Sequence, residues 1–136
     1  MNVIRFSKLK AGLILLMFFM VASPSGNASD STAAPKERAV AALEQDLKTD
    51  PNNSELWLHL GFAYRKMGNM DQAQAAFEKA SSLNPREPDA FYMLGLIYES
   101  KHQTQAAEKA WKDYLAAETD SSKRAIAEKH IHHLSQ

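Results

Sequence analysis

Five histidines are the residues of this chain whose type and spacing could support chemistry. His130, His132 and His133 lie close together near the C-terminus, while His59 and His102 stand alone. A specific transition-metal site needs three or four ligands. On one helix His130 and His133 share an edge and His132 points to the opposite side, so the three cannot chelate one ion together. We expect solvent-exposed histidines at a helix C-terminus, where positive charge suits the helix dipole. A weak metal-handling role for these histidines is the alternative.

Other catalytic patterns do not stand out in the sequence. We find no nucleophile–base pair, no paired-carboxylate site and no glycine-rich phosphate loop. The chain has no Cys, which excludes disulfides and thiolate metal sites. We therefore predict a protein that is not an enzyme and that has no cofactor, no bound metal and no small-molecule substrate.

The N-terminal segment, residues 1–28, has the pattern of a secretory signal peptide. Three basic residues precede an apolar run over residues 11–22, and no acidic residue occurs before Asp30. The run is shorter than the roughly 20 residues that a membrane-spanning helix needs. Small residues follow it, and we expect cleavage after Ala28. The protein is therefore predicted to be exported to the periplasm and free of the membrane after cleavage. An uncleaved inner-membrane anchor facing the periplasm is the alternative.

The charge of the remaining chain argues against nucleic acid as a partner. Residues 1–28 hold three of the 16 basic residues and none of the 16 acidic ones, so the net charge without them is −3. Proteins that bind nucleic acid carry a basic stripe or patch. Residues 29–36 are small and polar and predict a flexible lead-in. Residues 37–136 are long enough for one modest core.

The rest of the chain matches itself when it is shifted so that Trp57 aligns with Phe91. At 100° per residue, the first four positions of each copy fall on one helical face. The first copy consists of Trp57, Leu60, Gly61, Tyr64, Ala73, Phe77, Ala80 and Pro85. The second consists of Phe91, Leu94, Gly95, Tyr98, Ala107 and Trp111, with Tyr114 and Thr119 in place of the small residue and the proline. Since glycine is costly inside a helix, Gly61 and Gly95 predict close helix–helix approaches, which we expect at Ala73 and Ala107.

This pattern resembles the tetratricopeptide repeat family, whose motif is W-x2-L-G-x2-Y, A-x3-F and P over a repeat of about 34 residues. The resemblance implies an all-α solenoid of antiparallel helix pairs, with about two full repeats and a flanking helix at each end. Its parts would be a half repeat at 37–53, complete repeats at 54–87 and 88–121, and a capping helix at 122–136. We expect helices near residues 36–48, 54–67, 70–82, 88–101, 104–117 and 121–134.

In this family the first helix of each repeat lines a concave groove that holds a partner's peptide. The corresponding positions here are Glu55, Leu58, Phe62, Arg65 and Lys66, then Asp89, Tyr92, Leu96, Glu99 and Ser100. Leu58 and Phe62 occupy positions of the carboxylate clamp that some members carry, so that clamp is absent. An apolar floor with basic residues at one end favours a segment with hydrophobic anchors. Alternatively, flanking helices cover the apolar positions, with residues 36–48 as the expected lid.

The resemblance also implies a function. It favours a non-catalytic adaptor or scaffold in the bacterial cell envelope that binds a peptide or helix of another protein in the groove. By analogy with small exported modules of this family, the process would be the assembly or maturation of envelope proteins such as c-type cytochromes. A homo-oligomerising structural scaffold is a further alternative. The sequence does not identify the partner.

Overall fold

The computed structural model describes residues 34–136, so the predicted signal peptide and residues 29–33 of the lead-in lie outside the described residues. Within this part of the chain the secondary structure is entirely α-helical. The helices are α1 Pro35–Thr49, α2 Ser54–Met67, α3 Met70–Leu83, α4 Pro88–Ser100, α5 Thr104–Ala117 and α6 Ser121–Leu134. Each predicted boundary is within one residue of these. Pro35 and Lys36, which we assigned to the lead-in, belong to α1, since proline is favoured in the first helical turn.

Local signals explain where the helices begin and end. The Asn53 side chain caps α2 by accepting hydrogen bonds from the backbone N–H groups of Glu55 and Leu56. Gly68 ends α2 with a φ of 83°, a left-handed conformation that glycine adopts readily. Asp120 caps α6 in the same way as Asn53 caps α2. These short turns force consecutive helices to pack side by side, which produces the solenoid.

The two mid-helix glycines mark the closest helix–helix approaches, but their partners differ from our expectation. A Cβ atom on Gly61 would lie 2.6 Å from the ring of Phe77. A Cβ atom on Gly95 would lie 2.5 Å from the ring of Trp111. The expected partners Ala73 and Ala107 are buried instead within the core. The aromatic ring of each A-x3-F position therefore lies against the glycine backbone, which leaves no room for a side chain.

Each repeat contributes one large aromatic side chain to the centre of the core. Trp111 and Phe77 have no solvent-exposed surface. Trp57, which we expected in the core at the position equivalent to Phe91, is only partly buried, and its indole Nε1 donates to the backbone oxygen of Pro51 at 2.8 Å. Trp57 is therefore a helix-to-turn contact at the edge of the core.

The helix α6 closes the C-terminal end of the solenoid. Ala127 of α6 is fully buried, and Ile131 and Leu134 pack against the same cluster as Trp111. Through this apolar face α6 covers the end of the cluster that contains Trp111. No helix between residues 34 and 136 is both long enough and apolar enough to cross a membrane.

Candidate functional site

The second repeat's part of the predicted groove is occupied by the protein itself. Tyr92 packs edge-on against Trp111, with ring centroids 5.4 Å apart, and contacts Tyr114 at 5.7 Å. Leu96 packs in the same cluster, which α6 completes through Ala127. Both side chains are half-buried. The covering that we considered for the groove thus occurs here, but α6 supplies it and not the predicted lid at residues 36–48.

Glu99 also serves the fold at this end. Its carboxylate accepts a hydrogen bond from the Trp111 indole at 2.7 Å. The Nδ1 atom of His130 lies 2.8 and 3.1 Å from the two oxygens of the same carboxylate. Glu99, assigned to the groove from the sequence, therefore joins α4, α5 and α6. Asp89 and Ser100 remain exposed on α4.

His130 departs from the prediction of solvent-exposed histidines. Its ring stacks on Trp111, with centroids 4.3 Å apart and an interplanar angle of 18°. His132 and His133 are exposed, as expected. The repeat contained a signal for this packing, because His130 lies one repeat length after Leu96 and two repeat lengths after Phe62. It occupies the same position in a third, incomplete copy.

The side chains of residues 34–136 do not form a metal-binding site. In this range no three His, Cys, Asp or Glu side chains are placed to hold an ion together. His102 and His133 line one small cleft with Glu99. That carboxylate already accepts a hydrogen bond from Trp111 and pairs with His130.

The first repeat's part of the predicted groove is divided between core and surface. Leu58 is only 8% exposed and packs in the central cluster with Ala90 and Met93 of α4, and its remaining surface lines a small polar cleft with Glu55 and Asp89. Its assignment to the groove stays a prediction, with little side-chain surface left for contact. Glu55 and Arg65 are exposed. The nearby helix α4 covers Leu58 because successive first helices pack against each other in the solenoid.

Phe62 and Lys66 instead line a cleft between α1 and α2. The cleft has a volume of about 570 Å³. Its lining is Pro35, Lys36, Ala39 and Leu43 from α1 and His59, Phe62, Ala63 and Lys66 from α2. We call it the α1–α2 cleft. Four of the lining positions, Lys36, Ala39, Leu43 and His59, are functional candidates that we did not assign from the sequence.

The α1–α2 cleft combines an apolar floor with cationic groups at one end. Phe62 is half-buried and packs edge-on against Phe77, with ring centroids 5.2 Å apart. The Lys36 ammonium donates to the backbone oxygen of Lys66 at 3.0 Å, which brings the two lysines together. Among the described residues, the lining of this cleft includes no carboxylate. The site can therefore bind a mainly apolar segment that carries negative charge at one end.

Matched tyrosine–glutamate hydrogen bonds join successive repeats on another face. The Tyr98 hydroxyl donates to Glu78 at 2.7 Å, and Tyr64 donates to Glu44 in the equivalent place. Burial first, and then the adjacent carboxylate, raise the pKa of Tyr64 and of Tyr98 to about 12. These neutral hydroxyls act as structural contacts between helices.

Comparisons with known proteins agree with this architecture. Models of the tetratricopeptide repeat match residues 54–87 and residues 76–109. A structure described as the crystal structure of MamA superposes with a TM-score of 0.64 at 28% identity, over 73% of this chain and 56% of that one.

Two curated bacterial proteins are similar in sequence. The formate-dependent nitrite reductase complex bifunctional subunit NrfFG of Haemophilus influenzae is 31% identical over 100 residues, which are 71% of this chain and 26% of that protein. The type IV pilus assembly protein PilF of Pseudomonas aeruginosa is 25% identical over 83 residues, 59% of this chain and 33% of that protein. The chain thus spans between a quarter and a third of these relatives. With its six-helix solenoid, its repeated motif and these matches, the chain belongs to the tetratricopeptide repeat family.

Proposed function

We propose that this protein is a non-catalytic adaptor that binds a segment of another protein in the α1–α2 cleft. The observation that carries the proposal is the cleft itself, where Phe62 and Lys66 meet the exposed Ala39 and the half-buried Leu43. At the other end of the solenoid the equivalent apolar surface is covered by α6. Apolar surface that the fold leaves open, with charge at its rim, is typical of a protein-binding site.

The relatives support an adaptor by what their names say. One is a subunit of a nitrite reductase complex, and the other is a pilus assembly protein. Because the chain spans only part of each, their partners do not transfer to it.

We propose further that the adaptor works in the bacterial cell envelope. The N-terminal pattern of basic residues, apolar run and small residues supports export. Assembly or maturation of envelope proteins such as c-type cytochromes is the pathway to test first. Intact mass of the protein isolated from a periplasmic fraction checks export, since cleavage after Ala28 leaves Ser29 at the N-terminus. A full-length mass in the membrane fraction would favour the anchored alternative.

A crosslinking pull-down from the native envelope tests the binding function. Ala39→Glu places a charge in the cleft at an exposed position, so the fold should tolerate it and partner recovery should fall at least about tenfold. Ala41→Glu is the matched control, because Ala41 is also exposed on α1 and lies outside the cleft lining. If both variants have the helical CD spectrum of the wild type and recover the partner equally, the partner does not bind in the cleft.

A further inference from the structure

The helix α1 is the second helix of a repeat whose first helix does not precede it in the described chain. Its residues Ala39 and Leu43 are equivalent to Ala73 and Phe77 of the next repeat. Ala73 and Phe77 are fully buried because α2 and α4 pack on either side of them. Ala39 is exposed and Leu43 is half-buried. Among residues 34–136, nothing therefore packs on one helix-binding face of α1.

The interior of the solenoid provides a template for what fits this face. The positions equivalent to Leu43, His59 and Ala63 of the cleft are Phe77, Met93 and Ile97. Those three side chains belong to one cluster with Leu58 of α2, and Phe62 packs against it. The backbone of α2 approaches this cluster at Gly61, directly against Phe77. The interior site is thus filled by a helix with two apolar residues four positions apart and a small residue between them.

The charge of the α1–α2 cleft adds a feature that the interior site lacks. Lys36 and Lys66 are equivalent to the uncharged Met70 and Ser100. A helix that packed as α2 does would run antiparallel to α1, with its C-terminal turn beside the start of α1 and hence beside Lys36. Both the negative end of a helix dipole and a carboxylate in the last turn are favourable next to cations. The cleft therefore prefers a helix with an acidic C-terminal turn.

We infer that the α1–α2 cleft takes an amphipathic α-helix of a partner protein, which completes the repeat that α1 begins. The docked helix places a small residue against Leu43 and a carboxylate of its last turn beside Lys36 and Lys66. This inference rests on the proposed function, because it specifies the partner segment for the same cleft.

Segments of the chain itself fit the cleft poorly. In the register of the repeat, residues 20–33 would supply the helix, but Ser23 and Gly26 stand where α2 has Trp57 and Leu60. The helix α6 of a second copy carries Lys129 at the position of Gly61. In the interior site this position must be free of a side chain, because the backbone of α2 lies directly against Phe77. A lysine at the equivalent position would hold the helix away from Leu43.

A peptide with the sequence of α4, residues 88–100, is a suitable probe. It carries Tyr92 and Leu96 four positions apart, Gly95 at the close approach and Glu99 in its last turn. Labelled at its N-terminus and titrated with the full chain at low ionic strength, it should show saturable binding by fluorescence anisotropy. The Gly95→Leu peptide should lose binding, because the added side chain prevents the helix from approaching Leu43.

Charge exchange identifies the docking register. The double variant Lys36→Glu/Lys66→Glu should bind the probe about tenfold more weakly, and the Glu99→Lys peptide should recover most of that loss. Lys48→Glu/Lys129→Glu reverses two exposed lysines outside the cleft lining and should bind the probe as wild type does.

The possible results separate this inference from the proposed function. Absence of saturable binding, or binding unaffected by Gly95→Leu and by charge exchange, overturns the helix inference. So does a dimer in light scattering that the peptide does not dissociate, because a second copy would then fill the cleft. If Ala39→Glu still abolishes the pull-down in those cases, the adaptor function stands with a different kind of segment. If it does not, both fail.

Discussion

The two ends of the solenoid differ in how deeply they bury equivalent positions of the repeat. Leu43, Phe77 and Trp111 occupy the same position in successive repeats, and only Leu43 is partly exposed. At the C-terminal end, α6 seals Trp111 with Ala127 and with the stacked ring of His130. At the N-terminal end of the part of the chain that the structure describes, the α1–α2 cleft is open. Exposure of a repeat position therefore depends on which helix packs beyond it. The C-terminal end gains buried apolar contacts from α6, whereas the N-terminal end of the described residues offers a surface.

Truncation of the second-repeat aromatic should give the largest effect. Trp111→Ala deletes a fully buried side chain and should cost about 3–5 kcal/mol in the free energy of unfolding, enough to unfold a small solenoid. Leu43→Ala at the equivalent position should cost only about 1 kcal/mol, because the side chain is already partly in water. Urea denaturation followed by far-UV CD measures both. Equal losses would mean that the N-terminal end is as closed as the other.

Alanine substitution at the two mid-helix glycines tests whether overpacking or helix propensity dominates, because the two have opposite effects on the free energy of unfolding. Gly95→Ala would place a Cβ atom 2.5 Å from Trp111, and overpacking of this kind costs about 1–3 kcal/mol. Helix propensity alone would instead favour alanine by about 1 kcal/mol. We expect a net loss of roughly 1 kcal/mol in denaturation experiments, and a similar loss for Gly61→Ala against Phe77. Stabilisation at Gly61 alone would show that the ring of Phe77 moves aside more easily than that of Trp111.

An effect of similar size concerns the seal at α6. His130→Ala removes the stacked ring and its contact with Glu99 and should cost about 1–2 kcal/mol. His130→Leu should restore much of the loss, since Leu96 is the equivalent residue of the preceding repeat. His132→Ala is the control and should change stability by less than about 0.5 kcal/mol, because His132 is exposed. If the two alanine variants melt alike, the stacked ring does not stabilise the closed end.

The sequence predicts the helices of this protein well because the same signals recur in each repeat. Gly61 and Gly95, the turns at Pro51 and Pro85, and the aromatic positions fix helix type, boundaries and order. Aligning the repeats with one another is a weaker guide to which helix buries each side chain. Leu58 and Glu99 occupy groove positions of the family, yet α4 buries the first and α6 engages the second. A helical face can be deduced from spacing, whereas its neighbour depends on how many helices follow.

The candidate site was predictable only in part. Phe62 and Lys66 were assigned from the family pattern, but Lys36, Ala39 and Leu43 were not, because in a complete repeat the equivalent positions of Ala39 and Leu43 are core. Their exposure arises from their place at the N-terminal end of the described solenoid. Trp57 illustrates the converse, since a motif position usually assigned to packing is here only partly buried.

The tyrosine–glutamate hydrogen bonds also bear on how such a chain can grow. Each bond joins the second helix of one repeat to the first helix of the next, at Glu44–Tyr64 and Glu78–Tyr98. At the next junction Lys112 and His132 replace both members. Suppose that a copy of α2 and α3 were inserted between α3 and α4. Its tyrosine could donate to Glu78 and its glutamate could accept from Tyr98, so the hydrogen bond would form on both sides of the insert. The residue pair at the junction between α5 and α6 cannot form this bond, so a module added there would lack it, whereas one inserted between α3 and α4 would keep it on both sides.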